Sequence, residues 1–452
     1  MKLSLLPKVL YGVDQLRSHE RWTRAHLEAH QVEALRQLRA HAYAHSPFYQ
    51  EFHQGLADRP LNELPILTKA MMMEHFDEFV TDRGIRLADV RAHAAHDKAG
   101  ERYLNRYWVT ATSGSSGHPG FFLFDEDEWA YIMASFARGQ EWSGAKVSLT
   151  RRVRMATLAS ISPWHMSSQV AATAKSRWRP SLRLPASQSL PETVQQLNDW
   201  QPDMLIAYAS MAGVLADEQL GGRLQIHPEA VYTASEVLTQ QTRQRVREAW
   251  GDEPFNQYGA TETADIAAEY KACRRMHVFE DLVIVEVVDE RGRPVPRGAY
   301  GGKVLVTTLF SRTQPLIRYE LNDSVRLSSE PHACGLPFTV LESIQGREED
   351  TLHLPTGTGR KIPVQPLVFN RIMDILPIGG WQVAQQADDG LLILVAGGRD
   401  GLTDERLVEA LTGSLAQEGV RVPYVHVQRV GEIPKTASGK APLIKANTGS
   451  SR

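Results

Sequence analysis

From about residue 105 to residue 310, short apolar runs alternate with longer amphipathic ones. After about residue 350 the same rhythm restarts at smaller scale. Strand-length apolar runs set between helix-length amphipathic runs predict an α/β chain, and a restart predicts a second unit. MLIAY (204–208) reads as a strand, and QTRQRVREAWG (241–251) as a helix stopped by its glycine. LVIVEVVD (282–289) and GKVLVTTL (302–309) read as strands around the turn-rich ERGRPVPRGAYG, a β-rich insert. In the restart, LLILVAG (391–397) and VPYVHVQRV (422–430) are strands and DERLVEALTGSLAQEG (404–419) is a helix. The expectation is a large N-terminal α/β domain over residues 1–347, with packed sheets and the β-rich insert. A small C-terminal α+β domain follows over 348–452, joined by a hinge and of ordinary domain size. Upstream, residues 20–45 read as a helix with Leu35, Leu38 and Ala42 as its apolar stripe. His26, His30, His41 and His45 in this region have no ligand-type companions and read as a solvated face. Residues 64–80 read as a Pro-started helix whose methionines pack into the core.

A chain of 452 residues suggests two or three domains. With 42% hydrophobic and 23% charged residues it can bury a sizeable core. A formal charge of −3 gives no electrostatic reason to expect nucleic acid. Two cysteines argue against a disulfide framework and for a reducing compartment. The start, MKLSLLPKVLYGVD, is broken by Pro7 and Lys8 and reads as no signal peptide. No apolar run approaches the roughly 18 residues of a membrane span. These features predict a soluble cytoplasmic enzyme that meets neither nucleic acid nor membrane; they leave a homodimer open.

TATSGSSGHPG (110–120) lies between the β-prone Tyr107-Trp108-Val109 and Phe121-Phe122-Leu123-Phe124. Gly114 and Gly117 free the backbone for close approach, and Thr112, Ser113, Ser115 and Ser116 offer hydroxyls. Backbone N–H groups in such a loop can form an anion-binding nest. A linker of this composition would not sit between two buried-looking strands. The loop matches neither GxxxxGK[ST] nor GxGxxG.

The loop resembles the phosphate-binding loop of the adenylate-forming superfamily, which contains acyl-CoA synthetases, peptide-synthetase adenylation domains and luciferases. Further stretches resemble that family in its order. NQYGATE (256–262) resembles Tyr-Gly-x-Thr-Glu. The resemblance implies that Tyr258 and Gly259 meet adenine, Thr261 the α-phosphate, and Glu262 a Mg²⁺ ion, which suits carboxylate oxygen. TASEV (233–237) places Ser235 and Glu236 against the other adenine face. LIRYELNDSVRL (316–327) implies that Asp323 accepts from ribose, and GREED (346–350) implies a ribose contact for Arg347 and a hinge at Glu349. PKTASGK (434–440) implies that Lys440 is the catalytic lysine. The loop lysine of the family falls at His118, mostly neutral at pH 7, so ATP binding is expected to be weaker and to improve below pH 7.

Within the superfamily the chain looks most like the phenylacetate–CoA ligase group. HSPFYQ (45–50), ELPILTK (63–69) and MHVFEDLVIVEVVDERGRPVPRGAYGGKVLVTTL (276–309) carry that likeness. The implied reaction joins a carboxylic acid, aryl in the first reading, to ATP. It releases pyrophosphate, then hands the acyl group to CoA. ASISPWHMSS (159–168) falls at the family's aromatic or His gate, so Trp164 and His165 are acid-pocket candidates beside Tyr208 and Ser210. TGTGRKIPVQP (356–366) resembles the CoA-docking segment only loosely. A carrier protein, an amine or a coenzyme hydroxyl is therefore an alternative acceptor, and a non-catalytic acid- or nucleotide-binding relative is a further alternative.

Both cysteines have a nearby histidine: Cys273 with His277, and His332 with Cys334. Cys₂His₂ suits a structural Zn²⁺, with no open position for chemistry. The long gap between pairs is not the compact finger spacing, and two reduced cysteines with incidental histidines is the other reading. Some relatives in the phenylacetate–CoA ligase group carry a similar pattern, Cys…His followed by Cys-x-Cys.

Overall fold

The computed structural model describes residues 4–96, 99–112, 119–145, 152–175, 179–330, 332–347, 350–373, 376, 378–397, 402–436 and 438–446. The fold is mixed α/β. The chain divides into two compact units: Met1–Val153, Ile161–Ser181 and Phe255–Ser343 form the first; Arg154–Ser160, Leu182–Pro254 and Ile344–Arg452 form the second.

The first unit opens with two helices, Leu5–His19 and Arg24–His45. The earlier helix is not apparent from its sequence, because Pro7 looks like a breaker; it stands in the first turn, where no backbone donor is lost. Thr23 separates the two, extended and accepting the His26 N–H, so the expected helix starts at Arg24. Its histidines are not all solvated. His30 Nε2 lies 3.1 Å from the Asp281 carbonyl and His41 Nε2 3.1 Å from that of Arg312. His19 and Arg138 both bind the buried Asp281 carboxylate. Burial pushes that carboxyl up, but the charge and hydrogen bonds of Arg138, with His19, hold it well below its usual range.

The expected helix over 64–80 begins only at Lys69, capped by the Thr68 hydroxyl. Pro65 biases the residue before it toward extended backbone. The extended piece joins a strand edge: the Leu67 N–H donates to the Arg318 carbonyl, and the Glu320 N–H to that of Leu67. Trp108–Ala111 and Phe121–Phe124 form an antiparallel hairpin with every residue buried. Helix Glu126–Trp142 follows from an Asp125/Glu128 capping box. One sheet places Phe255–Ala260, Ala264–Tyr270, Arg275–Val278, Val340–Arg347 and Asp323–Leu327 side by side in that order. A three-stranded sheet pairs Val283–Val288 with Lys303–Thr308 and Tyr319–Leu321.

In the second unit, Ser181–Pro185, Met155–Ala159, Met204–Tyr208 and Ala230–Ala234 lie in that spatial order. The last three are parallel, as strands joined by helical crossovers must be. Helices Leu190–Trp200, Ala209–Leu220 and Gln240–Trp250 bury their apolar faces with these strands, and Gly251 ends the last of them at φ 85°. The stretch after residue 350 has a core of its own, built on Phe369, Trp381, Ile393, Leu407 and Leu411. Its sheet runs Val425–Val430, Leu391–Ala396, Gly380–Gln385, Ile444–Lys445. Among the described residues no helix is long and apolar enough to cross a membrane.

Candidate active site

The loop after Trp108–Ala111 is closed at its stem by a reciprocal pair of bonds. The Thr112 N–H donates to the Gly120 carbonyl at 3.0 Å, and the Gly120 N–H to Thr112 Oγ1 at 2.8 Å. Ser113, Gly114, Ser115, Ser116, Gly117 and His118 lie outside the described residues.

The hairpin of Phe255–Ala260 and Ala264–Tyr270 slips register between Tyr258 and Gly259. A Cβ at Gly259 would lie 2.4 Å from the Ala264 carbonyl oxygen, so only glycine fits this turn. The slip presents Tyr258, Thr261 and Glu262 together. The buried Tyr258 donates its hydroxyl to Asp323 Oδ2 at 2.8 Å. Glu262 accepts from the Tyr319 hydroxyl at 3.2 Å. Burial first, then the Glu262 charge, raises the Tyr319 pKa well above its usual value, so the phenol keeps its proton and donates. The Thr110 hydroxyl donates to the Thr261 carbonyl at 3.4 Å, tying the hairpin tip to the strand that enters the loop. Within the first unit the loop stem, Tyr258, Gly259, Thr261, Glu262 and Asp323 are thus brought together.

Tyr319 is a partner that reading the motif misses. Strand alternation could have found it, since Tyr319 and Leu321 share the buried face of Tyr319–Leu321 while Glu320 faces out. Its ring also meets Phe122 edge-on at 6.2 Å. Arg318 has a structural role: at φ 52°, its buried guanidinium binds Glu286 and the Leu64 carbonyl.

The second unit gathers Tyr208, Ser210, Glu236 and Lys440. The segment Pro434–Lys440 closes a turn, with the Thr436 N–H donating to the Lys440 carbonyl and the Gly439 N–H to that of Thr436. Lys440 Nζ lies 5.7 Å from the centroid of the Tyr208 ring, and the Tyr208 hydroxyl accepts from the Ser160 N–H. Glu236 Oε1 accepts from the Ala441 N–H and Oε2 from the Ser210 N–H, both at 2.9 Å. Burial raises the Glu236 pKa despite opposing pulls from these donors and from the Lys440 charge. Ser235 beside it is exposed, at φ 69°. Arg347 is exposed and its N–H donates to Asp350 Oδ2; the hinge candidate Glu349 lies outside the described residues.

Of the acid-pocket candidates, Trp164 and His165 belong to the first unit and Tyr208 and Ser210 to the second. Trp164 packs with Phe76, Tyr103 and Phe121, and its carbonyl accepts from the Ala111 N–H. His165 stands at the N-terminal cap of helix Met166–Ala174.

Cys273, His277, His332 and Cys334 converge, with their ligand atoms all within 4.8 Å of one another. His277 Nε2 lies 3.4 Å from Cys273 Sγ and 3.3 Å from Cys334 Sγ. Its Nδ1 lies 3.1 Å from the Phe338 carbonyl oxygen and donates its proton there. That fixes the tautomer and leaves the Nε2 lone pair facing the thiols, the arrangement of a metal-ligating histidine.

No family model matches the chain. The phenylacetate–coenzyme A ligase of Thermus thermophilus is 25% identical over 385 residues, covering 78% of this chain and 76% of that protein. A ligase of the same name from Pseudomonas putida is 23% identical over 338 residues, covering 72% of each. Among solved structures, a 2-hydroxyisobutyryl-CoA ligase in its postadenylation state superposes with a TM-score of 0.74 at 19% identity, over 95% of this chain and 91% of that one. In sequence the chain is thus similar to phenylacetate–CoA ligases, and in fold to a CoA ligase that forms an acyl-adenylate.

Proposed function

We propose that the protein is an AMP-forming acid–thiol ligase that activates a compact aryl acid and transfers it to CoA. The observation that carries this reading is the hydrogen-bonded joining of loop stem, Tyr-Gly-x-Thr-Glu hairpin and Asp323 in one unit. A carboxylate oxygen attacks the α-phosphorus of ATP, the bond to the bridging oxygen breaks, and pyrophosphate leaves. The CoA sulfur, having lost its proton, then attacks the acyl carbon and AMP leaves. No side-chain nucleophile is needed; the work is positioning and electrostatic stabilisation.

Tyr258 and Gly259, with Ser235, face the adenine, and Asp323 and Arg347 take the ribose. The loop 112–118 cradles phosphate, Thr261 binds the α-phosphate, and Lys440 bridges it to the attacking carboxylate. Glu262 suits Mg²⁺: it is a buried carboxylate oriented by one phenol, with hard oxygens for a hard cation. When bound, that ion supplies neutralisation of phosphate charge. The aromatic character of Trp164, His165 and Tyr208 supports a flat acid. The hinge lies at Glu349, and the boundary of the lysine-bearing domain lies after residue 347.

Acid-dependent exchange of labelled pyrophosphate into ATP, run across aryl and aliphatic acids and followed by addition of CoA, tests this reading. Exchange with a small aryl acid and thioester on adding CoA are expected. Exchange without thioester would assign a carrier protein, amine or hydroxyl acceptor instead. No exchange with any acid would make the protein a binding relative.

We also propose that Cys273, His277, His332 and Cys334 hold a structural Zn²⁺. Four protein ligands on one ion stand roughly 3.3–3.8 Å apart, given Zn–S and Zn–N bonds of about 2.3 and 2.0 Å, and His277 already meets both sulfurs at such distances. About one zinc per chain is expected by metal analysis. Cys334→Ser should lose it and lower the melting temperature by about 5–10 °C, a loss of a few kcal/mol. A metal-free native protein, or a variant that melts with the parent, would refute the site.

A further inference from the structure

Both oxygens of Glu236 are taken by backbone donors from distant segments. One is the Ser210 N–H, in the first turn of helix Ala209–Leu220, where a donor lacks an intrahelical partner and negative charge is favoured. The other is the N–H of Ala441, the residue directly after Lys440. The carboxylate therefore ties the lysine turn to the start of helix Ala209–Leu220. A second contact seats the same turn. A Cβ at Gly439, which has φ 82°, would lie 2.5 Å from the Ala186 Cβ and 2.8 Å from the Ala186 carbonyl carbon. Only glycine approaches that backbone so closely. The third is Lys440 itself over the Tyr208 ring.

From these contacts we infer that Glu236 is a positioning residue for Lys440. It holds the lysine turn in its adenylation seat and so divides activity between the two half-reactions. The inference rests on the proposed function, in which Lys440 acts in the first half-reaction, and it adds that a swing about the hinge at Glu349 withdraws the lysine for the second. A contact made in one arrangement alone shifts the balance toward that arrangement by its own free energy. Of the three contacts, the carboxylate bond is the charge-assisted one, and its second oxygen has no other role in the mechanism. The adenine-facing part expected of this segment is left to the backbone around Ser235.

Glu236→Gln tests the inference, because it keeps the shape and replaces one acceptor by a donor aimed at an N–H group. Acid-dependent pyrophosphate exchange should fall about 10- to 100-fold, the scale of one hydrogen bond to a charged group. Thioester formation from supplied acyl-adenylate and CoA should fall far less, so that the ratio of the two rates drops at least tenfold. Trypsin should also cut after Lys440 faster in the native variant. Ala441→Pro, which removes the N–H at the other end of the same bond, should split the half-reactions in the same direction and serves if the first variant does not fold. Equal loss in both half-reactions, or no loss in either, would overturn the inference while leaving the proposed function standing. Absence of exchange in the parent protein would remove the reading and this inference with it.

Discussion

Lys440→Ala is expected to lower acid-dependent pyrophosphate exchange by about 10²- to 10³-fold, the effect of deleting one positioned charge from a transition state. In the proposed reaction two anions meet in this step, and the Lys440 ammonium is the group assigned to follow charge as it moves from carboxylate to phosphate. The structure gives the lysine a defined seat: the Thr436–Lys440 turn closes on itself, and Nζ lies over Tyr208. Alanine gives up the contact over the Tyr208 ring but keeps the turn's own backbone bonds, the close approach at Gly439 and the Ala441 N–H bond to Glu236. The loss should appear in kcat more than in the Michaelis constant for ATP. Thioester formation from supplied acyl-adenylate should fall by less than tenfold. A variant that exchanged pyrophosphate at the parent rate would remove Lys440 from the chemistry.

Glu262→Gln should reduce exchange on the same scale, for a different reason. The amide keeps the size but loses the charge that, in the proposed function, holds a divalent cation. The Mg²⁺ concentration for half-maximal rate should rise, and the shift should persist when ATP is saturating. Tyr319→Phe separates holding from orienting. It keeps the ring against Phe122 but removes the donor to Glu262. A smaller loss is expected, about 5- to 50-fold for one buried hydrogen bond, with the Mg²⁺ curve displaced in the same direction. An undisplaced curve in Tyr319→Phe would reduce that hydroxyl to packing.

Local pattern carried much of this architecture. MLIAY became strand Met204–Tyr208, and the glycine after QTRQRVREAW ended its helix in left-handed backbone. The hairpin around the Ser/Gly loop followed from β-prone flanks, and both cysteines met their histidines. What failed to show depends on partners distant in the chain. Pro7 reads as a breaker until its place in a first turn is known. Ile66 and Leu67 read as helix until Leu67 is seen joining the strand edge at Tyr319. The two backbone bonds of Glu236 are equally hidden, because its donors are 26 and 205 residues away. Tyr319 stood inside a quoted motif, yet its role appears only when Glu262, 57 residues earlier, folds against it. Rhythm along the sequence likewise gives no sign that 182–254 and 344–452 share one compact unit.

The Thr112–Gly120 clasp gives the seven residues between those positions a closed base. Both bonds are made by the stem, one of them wholly between backbones and the other needing a hydroxyl at 112. The two bonds of the clasp therefore depend on Thr112 and the Gly120 backbone at the foot of the all-buried hairpin. A substitution at position 112 that removes the hydroxyl should then open one of the clasp's two bonds and leave the other, which any residue's backbone can make.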